Sequence, residues 1–313
     1  MLPHDKTYTC NTVTTTQLPL LVVVTGATAS GKTSLAVEIA EQLGTEIISA
    51  DSRQIYKNVP ITTAVPTADE LARVKHHFIE VLNLDQYYSA ACFEQDALKL
   101  LNPLFEKYGC AVVCGGSMMY VDALINGIDD MPTITDAVRN RVIDLQNQHG
   151  LEGLLAMLQI SDPDFYEQVD RSNLKRVMHA LEVTMQAGVP YSSLRTGGSK
   201  NRPFRVVKVA IDRQRDELFD RINRRVDIMV QQGMEQEARN LYHLRHLNSL
   251  NTVGFKEWFA HFDGELDRDT TIARIAKNTR VYAKKQLTWL KRDQSVVWLP
   301  ASDPLAAIQP YLK

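Results

Sequence analysis

Eight consecutive residues near the start of the chain have the types and spacing of a phosphate-binding loop. They match G-x-x-x-x-G-K-[ST] at every position and comprise Gly26, Ala27, Thr28, Ala29, Ser30, Gly31, Lys32 and Thr33. Glycines allow the backbone to curl so that its N–H groups face anionic oxygens. Lys32 supplies a point charge for phosphates, and the Thr33 hydroxyl can ligate Mg²⁺. The pattern predicts binding of a diphosphate or triphosphate, and it leaves the reaction open.

A single carboxylate follows the next predicted strand. Asp51 comes directly after the apolar run EIISA, whereas no acid closes the later strand end CGGSMMY. Ligands of α/β sheets bind at the carboxyl ends of the strands, so Asp51 is expected close to the phosphate loop. A carboxylate there could act as a general base, ligate Mg²⁺ or cap a helix. The residues alone do not decide between these roles.

The elements around these residues indicate an α/β fold. Leu20–Thr25 is a continuous apolar, β-branched run, which is typical of a strand buried on both faces. A helix is predicted from Lys32, because Leu35, Ile39 and Leu43 recur at helical spacing before Gly44. Further strands and a helix alternate up to CAVVCGG. The order predicts a P-loop NTPase-like parallel sheet flanked by helices.

The character of the sequence changes after about residue 127. Residues 128–200 hold helical patterns and no strand signal, so they are predicted to form a mainly helical insertion domain. The catalytic core is predicted to comprise 20–127 and 201–313. A strand signal returns in FRVVKVAID, and the rest of the chain is predicted to be helical. The threonine-rich segment 1–19 is expected to be a flexible tail.

Composition limits the class of protein. The chain of 313 residues is 44% hydrophobic and 23% charged, with a formal net charge of −2. These values are ordinary for a globular protein with a real core, and any surface for nucleic acid must come from local clustering of cations. The four cysteines form no C-x-x-C pair, and no apolar run is long enough to span a membrane. We expect a cytoplasmic protein.

One segment concentrates positive charge. Residues 271–292 carry seven lysines and arginines and no acid. On a helical wheel the cations lie on one side, and apolar residues including Ile275, Tyr282 and Leu290 lie on the other. Such a helix could follow the phosphates of a nucleic acid, although many charged helical faces are merely solvated.

Further motifs resemble one family along nearly the whole chain. The segments GATASGKT, ADSRQIYK, ITTAVPT, HHFIEVL, VVCGGSMMYVDALINGI, NTVGFKE and TRVYAKKQLTWLKRD are similar, in order, to motifs of the tRNA dimethylallyltransferases. The resemblance implies that the loop binds the diphosphate of dimethylallyl diphosphate with Mg²⁺. It further implies transfer of the allyl group to the N6 amine of the adenosine 3′ of the anticodon, with diphosphate as the leaving group.

The resemblance also implies roles for individual residues. Asp51 would be the general base, and Lys32 and Thr33 would stabilise the departing diphosphate together with Arg221. Asp51 and Thr33 would hold the metal. The residues expected to contact tRNA are Asp51, Ser52, Arg53, Gln54, Ser117, Arg139, Lys175, Arg176, His179, Arg225, Lys277 and Lys284.

The sequence departs from the family pattern at several positions. Ala27 replaces a proline of the phosphate loop, and Met118 stands where the family's G-G-T-G-x-Y motif has its third glycine. Lys175 and His179 differ from the usual Q-R-x-x-R pattern. A methionine restricts the backbone more than a glycine does, so the backbone at Met118 is expected to be less free to approach a ligand.

Three other readings stay open from the sequence. A relative of this family could prenylate free AMP, ADP or ATP, for which the basic helix and the insertion would be unnecessary. A P-loop small-molecule kinase could use the insertion as a lid. A non-enzymatic RNA-binding protein would not require intact Lys32, Thr33 and Asp51. We expect a monomer that binds tRNA and no membrane.

Overall fold

The computed structural model describes residues 18–312, so the predicted tail 1–19 lies almost wholly outside the described residues. The chain divides into two compact units. One comprises the residues up to Ile125 and those from Asn201 onwards, and the other comprises Asn126–Lys200.

The first unit is built on a six-stranded parallel sheet in the order β3-β2-β4-β1-β5-β6. Strand β1 lies between β4 and β5, and its residues are almost completely buried, as its apolar sequence predicts. The α/β prediction with a parallel sheet is confirmed. The strands are Leu20–Thr25 (β1), Ile47–Ser49 (β2), His76–His77 (β3), Cys110–Cys114 (β4), Arg205–Asp212 (β5) and Val296–Pro300 (β6).

Ten α-helices of the described chain accompany this sheet. Helix α1 follows the phosphate loop directly, with Gly31 (φ 99°) before its first residue and Gly44 (φ 62°) after its last, so both glycines use the left-handed conformation open to them. The helices are Lys32–Leu43 (α1), Pro60–Thr63 (α2), Ala68–Arg73 (α3), Ala90–Tyr108 (α4), Met118–Asn126 (α5), Arg215–Gln231 (α10), Met234–Leu241 (α11), Phe255–Phe262 (α12), Arg268–Leu290 (α13) and Pro304–Ile308 (α14).

One prediction about the C-terminal part was wrong. The segment after β5 was expected to be entirely helical, but β6 pairs in parallel with β5 over Lys208–Asp212 and Val296–Pro300. In the short run VVWLP at the edge of the sheet, Val296 and Leu299 are buried, the two residues between them are half-buried and Pro300 is exposed. This run of five residues is too short for periodicity to separate a strand from a helical turn.

The second unit consists of helices among its described residues. They are Asp136–Ser161 (α6), Pro163–Gln168 (α7), Leu174–Ala187 (α8) and Tyr191–Leu194 (α9). Helix α6 is kinked at Gly150, whose φ of 63° is non-helical. Buried Asp162 caps α7 by accepting the N–H of Phe165 and also accepts the N–H of Ser192, so one carboxylate joins two segments. The core includes Val142, Leu154, Leu158, Val177 and Leu181.

Within residues 18–312, no helix combines the length and the apolar character needed to cross a membrane.

Candidate active site

A cavity of about 440 Å³ lies in the first unit, where β1, β2 and β4 end. The phosphate loop follows β1, Asp51 follows β2, and Gly115 follows β4, so the parallel sheet brings the three segments to one edge. The polar residues of the lining include Thr28, Lys32, Thr33, Ser49, Asp51, Ser52, Arg53, Gln54, Ser117, Arg225, Tyr282 and Gln286.

Two arginines bind the backbone of the phosphate loop. Arg213 donates from Nε to the carbonyl of Ser30 at 2.7 Å, and Arg221 donates from Nε to the carbonyl of Ala29 at 2.8 Å. Hydrogen bonds with a charged donor are stronger than neutral ones, so these contacts fix the peptide planes of the loop. Arg213 was not selected from the sequence, because an arginine at a strand end carries no motif.

Arg225 rather than Arg221 is found among the described residues that line the cavity. Its Nη1 donates to the Thr28 hydroxyl at 3.3 Å. Burial lowers the pKa of the Arg225 guanidinium, while the charge of Asp51 opposes that change. Arg221 therefore contacts the loop backbone and Arg225 contacts the cavity, while their expected roles at the diphosphate and at tRNA stay predictions.

Lys32 lines the cavity at a desolvated position. Burial lowers the pKa of its ammonium, and nearby Arg225 lowers that pKa further, whereas Asp51 raises it. Cys114 lies beside Lys32, and burial raises the pKa of its thiol to about 11. A cationic group held in such a desolvated place would be stabilised by an anion more than it would be in water.

Gln286 of α13 connects the phosphate loop to the loop after β4. Its Oε1 accepts the N–H of Thr28 at 2.9 Å, and its Nε2 donates to the carbonyl of Gly116 at 2.8 Å. The side chain is 2% exposed. No separate role was assigned to Gln286 from the sequence, although it belongs to the quoted segment AKKQLTW. A glutamine spaced among buried helix positions is the signal that could have identified it.

Asp51 is held by a local turn. Its Oδ1 accepts the N–H of Arg53 at 2.9 Å and that of Gln54 at 3.3 Å. Next to it, the N–H of Ser52 donates to the Ser117 hydroxyl at 2.8 Å, which joins the segment after β2 to the segment after β4. These bonds use one carboxylate oxygen and orient the group, which remains part of the cavity lining.

Arg53 and Gln54 have partners within the protein. The Arg53 guanidinium donates to the carbonyls of Asn248 and Ser249 at 2.8 and 3.0 Å. The Gln54 amide donates to the carbonyl of Ala64 at 2.7 Å and accepts the Ser49 hydroxyl at 3.3 Å. The guanidinium therefore fixes the 248–251 segment against the site, and the amide is oriented before any ligand binds.

The lining residues fit a magnesium ion that is held jointly with phosphates. Thr33 and Asp51 supply a hydroxyl and a carboxylate to the same cavity. Within the described part of the chain, no group of three or more His, Cys, Asp and Glu side chains could hold a metal by itself. Mg²⁺ typically takes one or two carboxylates together with substrate phosphates and water, so the pair suits it only beside a diphosphate.

Helix α13 presents its cations less uniformly than the wheel suggested. Lys277 and Lys284 are exposed, but Arg280 is half-buried and donates to Asn223 of α10. Tyr282 was placed on the apolar side. It is instead 39% exposed and lines the cavity, where burial of its hydroxyl raises the pKa to about 12.

Four expected tRNA contacts lie in the second unit. Lys175, Arg176 and His179 are exposed on α8, and Arg139 is half-buried on α6. Burial of the ring lowers the pKa of His179, and the charge of Arg139 contributes in the same direction. The charge of Glu182 opposes this lowering of the His179 pKa, and Lys175 and Arg176 are exposed cations on the same helix.

Two departures from the family pattern, at Met118 and Ala27, have simple structural reasons. Met118 is the first residue of α5, in a conformation that needs no glycine. Ala27 is 1% exposed and packs with Leu218, Ile222 and Ala283, which hold the loop by apolar contact.

A parallel α/β sheet with a phosphate loop that faces a carboxylate defines a diphosphate- or nucleotide-binding class of protein.

Comparison with known proteins narrows that class. A family model described as IPP transferase matches residues 54–293. "tRNA dimethylallyltransferase 2" of Parabacteroides distasonis is 51% identical over 278 residues, which cover 89% of this chain and 93% of that protein. "tRNA dimethylallyltransferase 1" of Phocaeicola vulgatus is 50% identical with the same coverage. The chain therefore belongs to the IPP transferase family.

Solved structures agree with this assignment. The tRNA isopentenylpyrophosphate transferase of Bacillus halodurans superimposes with a TM-score of 0.69 at 31% identity, covering 95% of this chain and 96% of that one. A eukaryotic dimethylallyltransferase described as acting on tRNA has a TM-score of 0.80 at 23% identity, covering 93% and 77%. That second similarity supports the fold.

Proposed function

We propose that this protein is a tRNA dimethylallyltransferase. It transfers the dimethylallyl group of dimethylallyl diphosphate to the exocyclic N6 amine of the adenosine 3′-adjacent to the anticodon. The products are N6-isopentenyladenosine and diphosphate. The observation that carries the proposal is that Lys32, Thr33 and Asp51 line one cavity, so a diphosphate on the loop would lie beside a carboxylate.

The chemistry divides between the two sides of the cavity. The bond between the allylic carbon and the diphosphate oxygen breaks, and the electron pair leaves with the diphosphate. Lys32, Arg225 and the loop N–H groups bind the charge that develops on it. Thr33 would hold Mg²⁺ beside the phosphates, with Asp51 as an outer ligand whose Oδ2 stays available for a proton, and the ion would supply further neutralisation of the leaving group.

The nucleophile needs help because the lone pair of the adenine amine is delocalised into the ring. As the carbon–nitrogen bond forms, Asp51 takes up the proton from N6. The turn that fixes Oδ1 against the N–H groups of Arg53 and Gln54 leaves Oδ2 to receive that proton. The base must leave the anticodon stack to reach this depth, as in other enzymes that modify bases.

The substrate surface is proposed to lie on α13 and on the second unit. Lys277 and Lys284 of α13, with Lys175, Arg176 and Arg139 of the second unit, would bind tRNA phosphates. Ser52, Gln54 and Ser117 would contact the target adenosine, while Arg53 supports that segment from behind. His179 would contribute a ring nitrogen as a hydrogen-bonding group.

A label-transfer assay tests this function. The protein is incubated with labelled dimethylallyl diphosphate, Mg²⁺ and either unmodified tRNA or AMP, and the labelled nucleoside is identified. Label in adenosine from tRNA alone is the expected result. Label in AMP would indicate an adenylate isopentenyltransferase, and ATP-dependent phosphate transfer without prenylation would indicate a kinase.

A further inference from the structure

One wall of the cavity is apolar, and helix α10 supplies much of it. Ile222, Val226 and Met229 all line the cavity, at spacings of four and three residues that place them on one face. Met234 of α11 also lines it. Phosphate and adenine are bound by polar groups, so their binding does not account for an apolar wall.

The wall starts at the phosphate loop. Ile222 packs against Ala27, and its neighbours on α10 bind the loop, with Arg221 on the carbonyl of Ala29 and Arg225 on the hydroxyl of Thr28. Val226 and Met229 belong to a different cluster, with Met234 and Ile275. Helix α10 therefore runs from the phosphate end of the cavity into an apolar end.

The rise of α10 measures the length of that wall. At about 1.5 Å per residue, Val226 lies about 6 Å along the helix from Ile222, and Met229 lies about 10 Å along it. A dimethylallyl group extends about 5 Å from its oxygen, since carbon–carbon bonds are about 1.5 Å long, and a second isoprene unit doubles that reach. If the allylic oxygen lies level with Ile222, one isoprene unit would reach Val226 and a second would meet Met229.

The far end cannot open easily. Met234 is 1% exposed, and a Cβ built on Gly254 would come within 2.4 Å of its Cε and 2.6 Å of Thr62 Cγ2. Gly254 also has a φ of 100°, which disfavours any other residue. The Gly254 backbone therefore packs directly on the Met234 side chain and blocks its movement in that direction.

We propose that Met229 and Met234 set the length of the prenyl group, so that the cavity takes a five-carbon allylic diphosphate and rejects a ten-carbon one. This inference rests on the proposed function and names the specificity residues of the same site. Thioether side chains are flexible, so exclusion depends on the packing behind them, which Gly254 and Thr62 supply for Met234.

The test compares dimethylallyl and geranyl diphosphate as donors to tRNA. Met229→Ala, at a half-buried position, should raise the ratio of geranyl to dimethylallyl transfer by about tenfold or more, because pockets discriminate single methylenes by such factors. Ile228→Ala, on the exposed side of the same helix, should leave the ratio unchanged.

A binding measurement makes the test independent of turnover. It uses the Met229 variant, because truncation of the buried Met234 would cost stability. In competition with inorganic diphosphate, geranyl diphosphate should bind the unaltered protein no better than inorganic diphosphate does. It should bind Met229→Ala more tightly. Equal selectivity in both proteins would overturn the proposal. A change confined to the KM for tRNA would also overturn it, because the apolar wall would then contact the target base and not the prenyl group. Failure of the unaltered protein to use dimethylallyl diphosphate would instead refute the proposed function.

Discussion

The backbone N–H of Thr28 donates to Oε1 of Gln286 at 2.9 Å, across 258 residues of sequence. The Nε2 group of the same Gln286 side chain donates to the carbonyl of Gly116, so a single buried side chain holds two loops in position. The position of Thr28 in the phosphate loop thus depends on α13, the helix that carries the exposed cations.

Gln286→Ala should weaken binding of inorganic diphosphate and lower the free energy of unfolding by about 1–3 kcal/mol, because a buried carbonyl and an N–H lose their partner. Calorimetric titration with diphosphate and urea unfolding measure the two effects. Gln286→Glu keeps the acceptor for Thr28 but places an oxygen against the Gly116 carbonyl, and we expect it to be no better than alanine. Gln294→Ala, at an exposed position, is the matched control. Unchanged diphosphate affinity in both Gln286 variants would contradict the positioning role.

Asp51→Asn should reduce the single-turnover rate of prenyl transfer by about 10²- to 10⁴-fold, which is the usual contribution of a general base. An asparagine Oδ1 can still accept the two turn N–H groups, so affinity for tRNA should be retained. Asp69→Asn on the exposed surface of α3 should have the activity of the unaltered protein. A rate close to normal in Asp51→Asn would remove Asp51 from proton transfer.

The lowered pKa of Lys32 predicts a pH dependence of ligand binding. Burial brings that pKa below the ordinary value of 10.5, so the ammonium loses its charge at a lower pH than an exposed lysine does. Affinity for inorganic diphosphate should therefore fall as the pH rises towards 10.5, measured by titration calorimetry in alkaline buffers. Lys32→Arg keeps its charge over this range and should lack that decline.

The same shift has an opposite effect on folding. Since the unfolded chain binds the Lys32 proton more tightly than the folded chain, this group makes the unfolding free energy rise with pH between its lowered pKa and 10.5. Lys32→Met should remove that rise in denaturant unfolding measured across the interval. An unchanged pH dependence of stability in the methionine variant would mean that Lys32 is not the titrating group.

Charge reversal on α13 tests the RNA surface. Lys277→Glu and Lys284→Glu should each weaken tRNA binding and make its salt dependence shallower by nearly one unit per lost phosphate contact. Binding of inorganic diphosphate should not change. Lys99→Glu, on the exposed surface of α4, controls for net charge. If the slope stays the same, the cations of α13 are simply solvated.

The sequence predicts the parts of the site that are local. The phosphate loop, its flanking strand and helix, and Asp51 after β2 follow from spacing and hydrophobic pattern over a few residues. The contacts of Arg213 and Gln286 could not be predicted in this way, because they join segments far apart in the chain. The intramolecular partners of Arg221 and Arg225 needed the same tertiary information, since residues four apart share a helix face but not the same neighbours.

The order of strands also bears on how the protein acquires activity during synthesis. β1 is an interior strand whose second neighbour, β5, begins at Arg205, and the loop after β1 is held by Arg213, Arg221 and Gln286. A nascent chain therefore contains the phosphate motif long before it contains the partners that shape it. Such long-range contacts delay folding. Diphosphate binding therefore requires a chain that has been synthesised beyond α13.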